Sequence, residues 1–152
     1  DLSDEEYERL SAEVLELCAE YRVSCYLHSR YEIARKLECK NIHLSVTSLL
    51  ACEESLLGFE KISVSCHSLA DVKNALAHGA TQIILGTIFE TECKKGVKGQ
   101  GLSFVKEISD YCRANGNIPV FAIGGITPEN IELVKAAGAR GGCMMSYMMR
   151  YS

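Results

Sequence analysis

The sequence lacks the long apolar runs and the excess of positive charge that mark two common classes of protein. No apolar run approaches the roughly 18 residues that a membrane-spanning helix requires. Lys and Arg number 16 against 20 Asp and Glu, and no basic stripe or arginine cluster occurs. This balance argues against nucleic acid or a membrane surface as the main partner. With 152 residues and no low-complexity linker, the chain is expected to form a single domain over residues 1–152.

The cysteines lack the spacing of a metal site. Eight cysteines are present, but no two of them stand in C-x₂₋₄-C spacing, and several lie within apolar strand-like or helical runs. Structural zinc requires ligands paired on tight turns, so we expect free thiols and predict no metal site. The opening DLSDEEYERL is acidic and amphipathic, unlike a signal peptide. These features predict a cytoplasmic protein.

Short apolar runs alternate with segments of helical periodicity along the whole chain, which predicts a parallel sheet covered by helices. Two architectures fit this pattern, an open doubly wound sheet and most of a (βα)₈ barrel. The predicted strands are Val23–Leu27, Asn41–Val46, Lys61–Cys66, Thr81–Gly86, Ile118–Gly125 and Gly141–Ser146. The predicted helices are Asp1–Tyr21, Ser29–Glu38, Ser48–Ser55, Ser68–Gly79, Gly101–Ala114 and Thr127–Gly138.

Three histidines lie at or just past the ends of three successive predicted strands. They are His28, His43 and His67, whereas His78 sits near a helix end before a glycine. Ligands of parallel α/β folds bind at the carboxyl ends of the strands, and neighbouring strands lie about 4.8 Å apart. Each histidine alone is compatible with a structural hydrogen bond. Together they predict that at least one binds a ligand or transfers a proton.

The stretch FETECKKGVKGQG follows the fourth predicted strand at the same edge of the sheet. Thr91 supplies a hydroxyl and Lys94 a positive charge, while three glycines allow the backbone to pass close to a ligand. The alternative is a solvated loop without a ligand. We interpret the stretch as one side of an anion-binding site.

The stretch IGGITPEN predicts a phosphate site more specifically. Gly124 and Gly125 end a strand, and we expect Thr127 to cap the following helix, so that backbone amides face a ligand. Near the next strand end, a second double glycine precedes CMMS and Ser146. Two neighbouring strand-end sites of this kind are typical of the phosphate-binding end of a TIM barrel.

Four segments, ISVSCHS, GTIFETECK, IPVFAIGGI and AGARGGCMMS, resemble the thiamine phosphate synthase/TenI family in order and spacing. The resemblance implies an α/β TIM (βα)₈-barrel fold, here about six βα units. It also implies that thiazole phosphate binds at Gly124, Gly125, Ile126 and Ser146. Thr91, Lys94 and Ser65 would then lie where the synthase contacts the pyrimidine pyrophosphate.

The same comparison shows departures from the synthase pattern. Ser29 and Ser48 stand where the synthase carries magnesium-binding aspartates, so Mg²⁺ is expected as a cofactor only if the chain is a synthase. The HSR and CKKG elements resemble the TenI branch, whose tautomerase members transfer a proton on a thiazole phosphate. Thr87 occupies a position where such tautomerases often carry histidine, so His67 and His28 become the candidate catalytic bases.

The resemblance leaves three functions open. The leading interpretation is a TenI-like protein that binds and tautomerises thiazole phosphate, and the alternatives are a thiamine phosphate synthase and a non-catalytic phosphate-ligand binding or regulatory protein. The expected partners are thiazole phosphate or thiamine phosphate and a second copy in a homodimer. Family members begin with a further strand, helix and strand, so we expect a barrel that lacks these elements, with a gap beside its first strand.

Overall fold

The computed structural model describes residues 2–51, 56–91 and 96–150, and strands alternate with helices along them. The strands are β1 (Leu27–His28), β2 (Asn41–Ser45), β3 (Lys61–Cys66), β4 (Gln82–Gly86), β5 (Val120–Ile123) and β6 (Gly141–Cys143). The helices are α1 (Asp4–Glu20), α2 (Tyr31–Lys36), α3 (Val46–Ala51), α4 (Leu69–Ala77), α5 (Gly101–Ala114), α6 (Ile131–Ala136) and α7 (Met145–Met148). Within these residues, no helix has the length and apolar character needed to cross a bilayer.

All six strands are parallel and follow one another in chain order across a single sheet. The predicted parallel α/β arrangement is therefore confirmed. Because all six strands are parallel, their carboxyl ends lie at the same edge of the sheet. Among the described residues, β1 and β6 each pair with one neighbour only.

The two faces of the sheet differ in chemistry because side chains alternate along each strand. Ile42, Leu44 and Val64 are fully buried on the face that the helices cover, where the aliphatic core lies. His43 and Ser65, which alternate with these residues, occupy the inner face and are only partly buried. The inner face is thus polar along β2 and β3 but apolar along β4 and β5, where Ile84 and Phe121 are in register with Ser65.

Helix α1 begins with the predicted capping box. The Glu6 amide donates to Ser3 Oγ at 3.2 Å, and the Ser3 amide donates to the Glu6 carboxylate at 2.8 Å. Its apolar stripe is not buried, however, because Leu10 and Leu17 are 50% and 54% exposed. The helix contacts β1 through Tyr7, whose hydroxyl bonds to the amide and carbonyl of the last strand residue.

The predicted strand Val23–Leu27 is wrong in its extent, because only Leu27 and the next residue pair with β2. The cause is local hydrogen bonding. The carbonyl of Cys25 accepts a hydrogen bond from the Asn41 side-chain amide at 2.9 Å. A side-chain bond of this kind competes with the backbone pairing of a strand.

The last two βα units also differ from their predicted bounds. β5 ends at Ile123, and the predicted helix Thr127–Gly138 is shortened to Ile131–Ala136 because a turn occupies residues 124–130. The predicted strand Gly141–Ser146 stops at Cys143, since Met145–Met148 form a helix. Ser146 therefore lies on α7, and the prediction that it ends a strand is wrong.

Candidate functional site

A cavity of about 390 Å³ opens at the carboxyl ends of β4, β5 and β6. This is the edge where parallel α/β folds bind ligands. The backbone and side chains around it come from the β4–α5 loop, the β5–α6 turn, β6 and α7. The lining residues are Thr87, Glu90, Thr91, Ile123, Gly124, Gly125, Ile126, Thr127, Cys143, Met145, Ser146, Tyr147 and Arg150.

The double glycine forms a turn that only glycine can make without strain. Gly124 and Gly125 have φ of +99° and +64°, in the left-handed region that side chains disfavour. A Cβ on Gly124 would lie 2.6 Å from the Thr87 side chain, and one on Gly125 would lie 2.8 Å from the carbonyl oxygen of Glu90. The turn therefore packs directly on the β4–α5 loop, which brings the two loops together on one wall of the cavity.

Asn130 closes this turn, which differs from the predicted capping by Thr127. The Thr127 amide donates to Asn130 Oδ1 at 2.9 Å, and Asn130 Nδ2 donates to the Gly125 carbonyl at 2.8 Å. The Thr127 hydroxyl instead hydrogen-bonds the Glu129 carboxylate, which lowers the pKa of that carboxyl. The prediction that Thr127 caps the helix is wrong, because α6 begins at Ile131, four residues later.

Helix α7 supplies the opposite wall of the cavity. It carries Ser146 and Tyr147, and Arg150 follows directly after it. The Arg150 guanidinium makes no ion pair with any other described residue. Sequence reasoning missed this cation, because the stretch CMMS gave no sign of a helix that would bring Arg150 to the cavity lined by the glycines.

His67 lies next to this cavity, directly after β3. Its Nδ1 hydrogen-bonds the carbonyl oxygen of Gly86, the residue before the cavity-lining Thr87. A carbonyl can only accept, so Nδ1 carries the proton and Nε2 is left as the basic nitrogen. The His67 amide donates to the Asp71 carboxylate at 2.8 Å, and Gln100 donates to the His67 carbonyl at 3.1 Å.

His28 and His43 lie together on the far side of the sheet. Their ring centroids are 5.5 Å apart, and His28 is exposed at the end of β1. The His43 ring lies between two hydroxyls, with Nδ1 at 3.0 Å from Ser63 Oγ and Nε2 at 2.9 Å from Ser65 Oγ. Burial, with a contribution from the nearby His28, lowers the pKa of His43 to about 4. The structure thus brings two of the three predicted histidines together and places His67 apart from them.

The depressed pKa of His43 predicts a loss of stability in mild acid. The unfolded chain, with an ordinary histidine pKa near ~6.5, binds more protons than the folded chain between about pH 6.5 and pH 4. Stability therefore falls as the pH drops through that window. We expect a contribution of roughly 2 kcal/mol, reduced from the full linkage value because the ring is partly exposed. Urea unfolding at pH 7 and pH 4 measures it.

The control for this measurement is His43→Gln, which cannot titrate. The variant should lose less stability than the parent protein between pH 7 and pH 4, and the difference isolates His43 from all other groups. Equal losses in the two proteins would contradict the assignment.

The remaining predicted ligand residues fall in different places. Thr91 lines the cavity, whereas Ser65 is on the inner face of β3 and outside the cavity lining. Lys94 lies outside the described residues. The last part of the loop returns to the strand end, because the Gln100 amide donates to the Thr87 carbonyl at 3.0 Å. The loop thus remains beside the cavity on both its described sides.

The side chains at the two serine positions do not fit magnesium. Ser48 Oγ lies 2.8 Å from Ser45 Oγ, and Ser29 offers only another neutral hydroxyl. Mg²⁺ is held in proteins through one or two carboxylates. In the stretches 2–51, 56–91 and 96–150, no three His, Cys, Asp or Glu side chains form a group that could hold a metal ion.

A known protein family matches almost the whole chain. The model of the family described as thiamine monophosphate synthase matches residues 1–148. The chain belongs to this family. The family assignment agrees with the resemblance of the glycine turn and the β4–α5 loop, although it does not distinguish the TenI branch.

Individual relatives carry synthase names. The putative thiamine-phosphate synthase 2 of Aquifex aeolicus is 34% identical over 147 residues, covering 93% of this chain and 74% of that protein. The thiamine-phosphate synthase of Prochlorococcus marinus strain AS9601 is 32% identical over 149 residues, covering 97% of this chain. This chain spans only 41% of that relative's length.

The solved structures confirm the fold class. The thiamine phosphate pyrophosphorylase from Pyrococcus furiosus superposes with a TM-score of 0.79 at 22% identity, covering 96% of this chain and 69% of that one. A structure titled "Native KDPGal structure" gives a TM-score of 0.65 at 16% identity. The structural neighbours are TIM-barrel proteins, so the six strands described above form part of a barrel-type sheet.

Proposed function

We propose that this chain is a thiamine-biosynthesis protein that binds a thiazole phosphate and transfers a proton on it, as a TenI-like tautomerase. One observation carries the proposal: the Gly124–Gly125 turn, Ser146 and Arg150 line the same cavity. Backbone, a hydroxyl and a guanidinium that makes no ion pair with another described residue suit a phosphate, because a guanidinium and a phosphate form two parallel hydrogen bonds.

The placement of His67 supports proton transfer as the chemical step. His67 follows β3 and the glycine turn follows β5, and with β4 between them these two strands lie about 10 Å apart. A thiazole phosphate held at the glycine turn would extend towards Thr87 and the basic Nε2 of His67. His28 is on β1, three strands from β4, and therefore less suited to the same ligand.

A thiamine phosphate synthase is the second candidate, favoured by the names of the relatives that are 32% and 34% identical. Such an enzyme would join hydroxymethylpyrimidine diphosphate to the thiazole phosphate and release pyrophosphate. Ser29 and Ser48 oppose it, since neutral hydroxyls do not replace magnesium-binding carboxylates. A mixture of both substrates and Mg²⁺, analysed for thiamine phosphate and for the ratio of thiazole isomers, separates the two candidates.

A cytoplasmic homodimer is part of the same proposal. The described cysteines Cys18, Cys25, Cys39, Cys66, Cys112 and Cys143 are all free thiols, as a reducing compartment favours. Sedimentation of the purified protein tests the dimer. A non-catalytic phosphate-binding protein remains the alternative if neither reaction occurs.

Arg150→Gln should weaken binding of the thiazole phosphate by about 10- to 100-fold, because a hydrogen bond to a charged group contributes about 1.5–3 kcal/mol. Affinity for the corresponding alcohol, which lacks the phosphate, should not change. Titration calorimetry with both ligands measures the difference.

Arg140→Gln is the matched control, since Arg140 is exposed at the amino end of β6, away from the cavity. It removes the same charge and should leave both affinities intact. A protein that binds the alcohol and the phosphate equally well would refute the phosphate site.

A further inference from the structure

Hydrogen bonds join the polar side chains of the inner face into one chain, here called the Tyr26–Ser65 chain. The Tyr26 hydroxyl lies 3.3 Å from Gln82 Oε1, and Gln82 Nε2 donates to Ser63 Oγ at 3.2 Å. Ser63 Oγ lies 3.0 Å from His43 Nδ1, and His43 Nε2 lies 2.9 Å from Ser65 Oγ. These bonds connect Tyr26, which precedes β1, with β4, β3 and β2, and they end at Ser65 on β3.

The Gln82 amide donor determines the direction of every later hydrogen bond in the Tyr26–Ser65 chain. Each hydroxyl has a single proton, and a neutral imidazole donates from one nitrogen and accepts at the other. Ser63 accepts from Gln82 and is only 1% exposed, so its own proton goes to Nδ1 of His43 rather than to water. His43 then carries its proton on Nε2 and donates it to Ser65. The hydroxyl proton of Ser65 is then not used within the Tyr26–Ser65 chain and can be donated to another acceptor.

The charge state of His43 agrees with this assignment. Burial lowers the pKa of its ring to about 4, so the imidazole is neutral near pH 7. The titratable neighbour that contributes to this shift is His28, whose ring centroid is 5.5 Å away on β1. A neutral ring is the state that can both accept from Ser63 and donate to Ser65.

We propose that His43 is a positioning residue whose Nε2–H form fixes the Ser65 hydroxyl as a hydrogen-bond donor towards the inner side of the sheet. Ser65 is partly exposed there and precedes His67 by two residues, so alternation along the strand directs both side chains to the same face. Its donor suits an acceptor atom such as a carboxylate or phosphate oxygen. Only the identity of that acceptor rests on the proposed function.

The tautomer of His43 tests the proposal without any ligand. In ¹⁵N-labelled protein at pH 7, NMR should show His43 protonated at Nε2 and unprotonated at Nδ1. A proton on Nδ1 of the parent protein would overturn the proposal, whatever the outcome of the substrate assays. A protein that fails to bind thiazole phosphate but shows the Nε2–H form would refute the proposed function alone.

Gln82→Glu should reverse the donor and acceptor roles of Ser63 and His43 in the Tyr26–Ser65 chain. A carboxylate oxygen accepts but does not donate, so Ser63 must donate to it and accept from His43, which places a proton on Nδ1. Gln100→Glu makes the same chemical change outside the chain and should leave the His43 tautomer as it is. If Gln82→Glu leaves Nδ1 unprotonated in a folded protein, as judged by circular dichroism, the proposed direction is wrong.

Discussion

Gly124→Ala is expected to destabilise the protein and to abolish phosphate binding together. The backbone at this position has φ +99°, and left-handed backbone costs a residue with a Cβ about 1–2 kcal/mol. The new Cβ would also lie 2.6 Å from the Thr87 side chain and 3.0 Å from its Cα, an overpacking worth about 1–3 kcal/mol more. We therefore expect a loss of roughly 2–5 kcal/mol in the free energy of unfolding, measured with urea.

The matched control is Gly79→Ala at the end of α4. Gly79 has φ +84°, but a Cβ there would meet nothing within 4 Å. This variant should lose only the backbone part, about 1–2 kcal/mol, and should bind thiazole phosphate normally. Equal destabilisation in the two variants would show that the close approach of Gly124 to the β4–α5 loop contributes nothing.

The sequence predicted the central elements well because their signals are local. β3 and α5 have the predicted bounds, Lys61–Cys66 and Gly101–Ala114. Each is a run with a clear apolar or helical pattern that polar residues or glycine bound at its ends. The predicted extent of the first strand was wrong, because a side chain there forms a hydrogen bond with the backbone. Near β1, Asn41 bonds the carbonyl that a strand would have used.

The candidate site also contains residues that the sequence predicted and residues that it did not. The glycine turn was predicted because a double glycine at a strand end is visible in the sequence itself. Arg150 was not, because its position depends on α7, and the residues Cys143–Ser146 are compatible with a continuing strand. The inward position of His43 was also missed, since the carboxyl end and the middle of a five-residue strand cannot be separated without the register.

His67→Gln is expected to reduce proton transfer by about 10²- to 10⁴-fold while leaving the affinity for thiazole phosphate within a factor of three. The bond from Nδ1 to the Gly86 carbonyl leaves Nε2 as the only basic nitrogen of the ring. Glutamine retains a donor for that carbonyl but offers no base. NMR of the interconverting thiazole isomers gives the rate, and calorimetry gives the affinity.

His78→Gln provides a control of the same kind, because His78 Nδ1 lies 2.8 Å from the Asn74 carbonyl at the end of α4. The substitution is identical and the anchoring carbonyl bond is similar, but no cavity-lining residue is involved. Its rate should match that of the parent protein. A large loss in His28→Gln with full activity in His67→Gln would move the base to β1, and a parent protein that binds the phosphate but does not interconvert the isomers would indicate binding without catalysis.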